Sequence, residues 1–306
     1  MTPQKTDIDW LRFRTQAEPR DVVQALKPVF PQHAQFLNLK HQDRGLLGFK
    51  QAALICADDF VIGRMDFGGE SQKGWVRIDI PGKGCQWADF DDFSSIEALP
   101  SSQIRRLDIA LTTWEGEVCH DQVVKAHSEG RFTTRRPPNL QQILNSDGGR
   151  TCNIGVREKS DKFMRCYEKG YEMLSKMASR VPGEITHIEG SPVVDIYRCE
   201  VEFKAVNTDI PWHVIERRDQ YFAGAYPFCS DVLPNVDPDK LKRRPEREAQ
   251  TSLATALENL KIQFGPTIYT ALMAYGGDIT AVWDKIIGDH HNQALIEAGV
   301  LLVEHE

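Results

Sequence analysis

Three segments of this chain alternate so regularly between apolar and polar side chains that each reads as a β-strand with one dry face and one charged face. In residues 105–112, Leu107, Ile109 and Leu111 make the dry face, and Arg106, Asp108, Ala110 and Thr112 the other. In residues 197–205, Cys199, Val201, Phe203 and Ala205 point inward, while Arg198, Glu200, Glu202 and Lys204 line up opposite. In residues 163–170, Met164 and Cys166 face a core, leaving Phe163, Arg165, Tyr167 and Lys169 on one side. If one sheet holds all three, its polar face gathers a tyrosine between two cations, an aspartate, and two glutamates bracketed by cations.

Those residue types suit phosphoryl chemistry. Arg165 and Lys169 would lower the cost of a Tyr167 phenolate and neutralise the phosphate it meets, with Arg the better bidentate donor. Asp108, Glu200 and Glu202 offer an oxygen-only donor set of the kind that suits Mg²⁺ or Mn²⁺. The alternative is a solvated sheet surface whose cross-strand ion pairs contribute little.

The net charge of −7 argues against a general nucleic-acid coat but leaves room for local basic surfaces. Two are visible. Arg131, Arg135 and Arg136 cluster in residues 130–138, with Phe132 as a stacking side chain and Pro137-Pro138 stiffening the base of an arm. Lys240, Lys242, Arg243, Arg244 and Arg247 form the second. The seven cysteines include no Cys-x-x-Cys pair, so they read as reduced thiols in a cytoplasmic protein. The histidines include no His-hydrophobic-His triplet, so any metal must rest on carboxylates. No apolar run approaches membrane-spanning length, and no membrane partner is expected.

Periodicity predicts strands at 8–14, 46–56, 60–67, 74–80 and 104–113 with helices at 19–28 and 90–98. It then predicts helices at 119–127 and 170–179 with strands at 150–156, 162–169 and 194–206. In both halves a hairpin strand, a crossover helix and a long strand follow in order. The expected fold is therefore α+β, with two related units at 1–115 and 116–235 forming a curved, mostly antiparallel sheet covered by helices. Residues 236–306 read as a helical appendage, broken at Gly265-Pro266, with Asp278 capping a later helix.

Residues 153–163 running into Arg165-Cys166-Tyr167-Glu168-Lys169-Gly170, then Arg198-x-Glu200-x-Glu202-x-Lys204, resemble the replication initiation factor (Rep-trans) family. Its members are rolling-circle replication initiators of plasmids and filamentous phages, together with related relaxases. Arg106-Leu107-Asp108-Ile109-Ala110, Gly82-Lys83-Gly84-Cys85 and Ile8-Asp9-Trp10-Leu11 extend the resemblance over residues 8–206.

It implies a metal-dependent tyrosine endonuclease and strand transferase. Tyr167 would nick one strand, stay on the 5′ phosphate and later rejoin it, assisted by Arg165, Lys169 and Lys204. Asp108, Glu200 and Glu202 would hold Mg²⁺ or Mn²⁺, and Arg106 and Arg198 would join Arg131, Arg135 and Arg136 on DNA. The implied partners are origin DNA, as a hairpin or a single-stranded nick site, a host helicase, and a second copy of the chain, in the cytoplasm of a bacterial host. Many members carry a further aspartate after the Asp-x-Ala strand, where this chain has Thr112 and Thr113. That departure supports the alternative of a non-cleaving, origin- or promoter-binding regulator on the same fold.

Overall fold

A computed structural model of the chain describes residues 5–134, 136–146, 148–158, 160–177 and 185–303. The alternating segments become neighbours in one sheet. In chain order the first half contributes β1 (Asp7–Thr15), α1 (Pro19–Leu26), β2 (Leu37–Gln42), β3 (Gln51–Ala57), β4 (Phe60–Phe67), β5 (Val76–Pro81), α2 (Gly82–Cys85), α3 (Ser94–Glu97) and β6 (Gln103–Thr113). The second half contributes α4 (His120–Ser128), β7 (Leu140–Leu144), β8 (Arg150–Ile154), β9 (Lys162–Tyr167), α5 (Lys169–Lys176), β10 (His187–Ile188), β11 (Ser191–Pro192), β12 (Tyr197–Lys204), α6 (Arg218–Ala223) and α7 (Pro227–Val232).

Ten strands form a single sheet in the order β2-β3-β4-β5-β1-β6-β12-β9-β8-β7, with every neighbouring pair antiparallel. β10 and β11 pair with each other alone. The dry face carries Leu107, Ile109, Val201, Met164 and Cys166, which share a core with Val22 and Leu26 of α1, Val123 of α4, Phe222 of α6 and Phe228 of α7. Burying that face against helices is what drives the layered arrangement. α5 packs separately, its Tyr171, Met173 and Leu174 lying against Ile188, Val193 and Ile196.

The structure is the expected mixed α+β fold with a large antiparallel sheet. Its two halves repeat the order hairpin, helix, long strand: β4–β5, α2, β6 and β8–β9, α5, β12. They differ in pairing, since β1 lies between β5 and β6 whereas β12 sits directly beside β9, and in what precedes the long strand, α3 in the first and β10–β11 in the second. Several local expectations are corrected. The tyrosine strand ends at Tyr167, so Lys169 opens α5 instead of extending the strand. The helix expected over 90–98 is a 3₁₀ turn followed by the short α3. Four strands, β2, β7, β10 and β11, lie where periodicity predicts none.

Residues 1–241 form one compact unit and 242–306 a second. The second holds α8 (Pro245–Ala274), α9 (Ile279–Ile286) and α10 (Gln293–Glu297). α8 runs straight through Gly265-Pro266, so the expected break does not occur. Pro266 frees the carbonyl of Ile262, which is 67% exposed and can turn to water. Asp278 does cap α9, accepting from the Thr280 and Ala281 N–H groups at 3.0 and 3.1 Å. Among the described residues, no helix is long and apolar enough to cross a membrane.

Candidate active site

Strand register sets the site. Across β9, β12 and β6, Tyr167 lies opposite Arg198, and Arg198 opposite Thr112. Arg165 lies opposite Glu200, and Phe163 opposite Glu202, which in turn faces Asp108. Directly opposed residues in an antiparallel pair share a face, so the polar sides of all three strands make one surface, as the alternation predicts. It is not a wet surface. Asp108, Glu200 and Glu202 are 5%, 5% and 6% exposed, which removes the solvated-face alternative. Buried carboxylates need partners, and each has them.

Glu200 is held at two ends. Its Oε2 accepts from Arg165 at 2.6 and 3.1 Å, and its Oε1 accepts from the Tyr167 hydroxyl at 2.8 Å. Lys169 Nζ stands 3.4 Å from the same hydroxyl while pairing with Glu172. Arg106 binds Asp108 through Nε at 2.8 Å and Nη2 at 2.5 Å, reaches Glu202 at 3.0 Å, and lies over the Trp10 ring at 4.4 Å. Glu202 also takes Arg157 at 2.8 Å and Lys204 at 3.3 Å. Lys204 is thus committed to Glu202 and the Arg157 carbonyl, not to Tyr167.

These contacts reverse one expectation. Burial, and after it the Glu200 carboxylate, push the Tyr167 phenol above its ordinary value, so the resting group is a hydrogen-bonded phenol and not a phenolate. Arg198 pulls the other way without overcoming burial, and Arg165 is turned to Glu200. Asp108 is raised to about 6, mainly by burial and further by Glu202 and Glu200, against the pull of Arg106. Burial alone would raise Glu202 too, but Arg106, Arg157 and Lys204 hold it below the usual carboxylate range.

Asp9 escaped the alternation pattern. A bulge between Ile8 and Trp10 inserts one residue against β6, so Ile8 faces Ile109 of the core while Trp10 faces Asp108. The extra residue, Asp9, contacts Arg198 at 3.3 Å. Burial, then Glu200, raise its pKa. It brings a fourth carboxylate to the region where Thr112 stands in place of the family's further aspartate. The only sequence signal for it was the run Ile8-Asp9-Trp10-Leu11.

The other predicted residues fall outside this cluster or inside its wiring. Arg198 spans Asp9 and Glu200, and Arg106 spans Asp108 and Glu202, so neither is a free DNA contact. Arg131 makes a two-point pair with Asp231. Arg136 is exposed, and Arg135 lies outside the described residues. Phe132 is no stacking arm, being buried against Tyr226 and Phe228. The other tyrosines nearby are placed differently: Tyr197 faces the core with its hydroxyl unpartnered, and Tyr171, on α5, packs against Ile188, Val193 and Ile196.

The replication initiation factor family matches residues 102–272, which is more than half of the chain and contains every residue of the cluster except Asp9 and Trp10. The chain belongs to that family. A solved rolling-circle replication initiator protein from Geobacillus stearothermophilus has a similar fold, with a TM-score of 0.53 at 17% identity, covering 77% of this chain and 99% of that one. No curated protein sequence matches.

Proposed function

We propose that the chain initiates rolling-circle replication by cutting one strand of origin DNA with Tyr167. The hydrogen bond from the Tyr167 hydroxyl to Glu200 carries this reading, because it joins a nucleophile to a base between cations. The phenol oxygen attacks phosphorus in line, its proton passes to Glu200 Oε1, and the P–O3′ bond breaks. The products are a 5′-phosphotyrosine and a 3′ hydroxyl, which takes its proton from solvent. Arg165 and Lys169 flank the attacking oxygen, and the donors they do not use on Glu200 and Glu172 meet the non-bridging oxygens. One phosphodiester replaces another, so the returning 3′ hydroxyl can rejoin the strand without ATP.

Mg²⁺ or Mn²⁺ is the cofactor of this reading. Asp108 and Glu202 face each other across β6 and β12 and share the Arg106 guanidinium, which a cation there would displace. That pair fits a cation completed by water and substrate phosphate, the usual way Mg²⁺ is held. No trio of His, Cys, Asp or Glu side chains among the described residues converges on a closed site. Bound to that pair, the cation would draw charge from the phosphate. Glu200, committed to Tyr167, is assigned to the proton and not to the metal.

The test is adduct formation on single-stranded origin DNA with Mn²⁺. Tyr167→Phe should bind that DNA as tightly as the parent and give no covalent adduct. Glu200→Gln, which keeps the shape and loses the base, should slow the adduct by about 10²–10⁴-fold. Adduct from Tyr167→Phe would move the nucleophile elsewhere. Tight, specific binding with no adduct from the parent would instead favour the non-cleaving regulator.

A further inference from the structure

We propose that the surface of β7 and β8 beside Tyr167 is a groove that reads the bases of single-stranded DNA, with Gln141 and Asn153 setting the nick-site sequence. The proposal rests on the nicking role given to Tyr167. The groove has a volume of about 780 Å³ and includes Arg165 and Tyr167 in its wall. That is within the range of built ligand sites, about 300–1,000 Å³.

Its floor is two rows of the sheet. One runs Gln141, Asn153, Arg165; the other runs Ile143, Thr151, Tyr167. Each step is one strand spacing, about 4.8 Å, so a nucleotide whose phosphate meets Tyr167 lays its base over β8 and β7.

The chemistry of the floor favours bases over phosphates. Asn153 Nδ2 donates to Gln141 Oε1 at 3.2 Å, which uses one donor and one acceptor of the pair. The Gln141 NH₂ and the Asn153 carbonyl oxygen remain for a base edge, the donor-and-acceptor combination an amide presents to adenine. Ile143, 36% exposed amid polar neighbours, offers an apolar contact to a base face. A single strand shows face and edge together, whereas a duplex hides its base faces in the stack.

Of the three acids lining the groove, Glu158 is exposed, and the other two are neutralised by neighbours. Glu168 accepts from the Arg150 backbone N–H at 2.6 Å and from its guanidinium at 2.8 Å, and Glu172 pairs with Lys169 and Lys176.

The test uses the full chain carrying Tyr167→Phe, so that chemistry plays no part, and short single-stranded oligonucleotides substituted base by base around the nick site. Adding Gln141→Ala and Asn153→Ala should weaken binding about tenfold, equivalent to about 1.4 kcal/mol, and flatten base preference next to the nick. Unchanged base preference with an intact melting curve overturns the proposal. So does equal affinity for duplex and single strand. Should the double variant melt early, the isosteric Asn153→Asp decides: a carboxylate on the floor must weaken binding, most at low salt. Failure of the nicking reading shows up elsewhere, as an absent adduct with the unmodified chain.

Discussion

At the scale of single residues, Tyr167 illustrates how a charge pattern and a charge environment differ. The spacing Arg-x-Tyr-x-Lys places two cations beside the phenol in the chain, and in space both are there. Yet Arg165 spends its charge on Glu200, and the phenol keeps its proton. Side-chain pairing across strands was invisible in the sequence, although the face each residue occupies was legible.

Lys162 makes a similar point in a place that can be measured. Its ammonium lies 3.9 Å over the Tyr226 ring and donates to the Ala225 carbonyl, and burial lowers its pKa to about 8 from 10.5. Below about 8 both folded and unfolded chains hold the proton, so the cost of burying the charge is fully present. Between about 8 and 10.5 the unfolded chain binds more protons, and stability rises with pH. Lys162→Met should therefore lead the parent in melting temperature at neutral pH, with the gap closing toward pH 10. A constant gap from melts across that range would contradict the burial account.

Among the elements, those with one dry face were easiest to read. β6, β9 and β12 alternate because one side packs on helices. β7 is an edge strand with Gln141, Gln142, Ile143 and Leu144 all exposed, so it has no alternation to detect. Asp9 was hidden by a bulge, which breaks the period-two rule on which the reading depends. α8 was misjudged because Gly-Pro signals a break only where the freed carbonyl has no water to turn to.

α5 supplies the prediction at this scale. Gly170 lies in its first turn, and a Cβ there would come within 2.0 Å of the Val193 carbonyl oxygen. The helix is pressed against the segment leading into β12, with no space for even a methyl. Gly170→Ala should cost about 1–3 kcal/mol by overpacking. It should also slow adduct formation, because α5 carries Lys169 and begins two residues after Tyr167. Thermal melts and adduct yield together check this; a variant of parental stability would mean the backbone yields easily.

For the whole molecule, the cluster lies entirely in residues 1–241, and residues 242–306 form a compact unit of their own. A chain ending at Leu241 should melt cooperatively and still form the adduct on single-stranded DNA. Loss of cooperative melting would show that the helical unit is needed to complete the fold.

The ladder joining β6 to β12 also has a consequence in time. Arg106 and Asp108 leave the ribosome long before Glu202, which shares the same guanidinium. Tyr167 is likewise made 33 residues ahead of Glu200. Distant pairings of this kind close late in folding, after shorter loops have formed. A partly synthesised chain therefore carries Tyr167 without Glu200, and under the proposed function the capacity to cut DNA would be born only when the last strand of the sheet is seated.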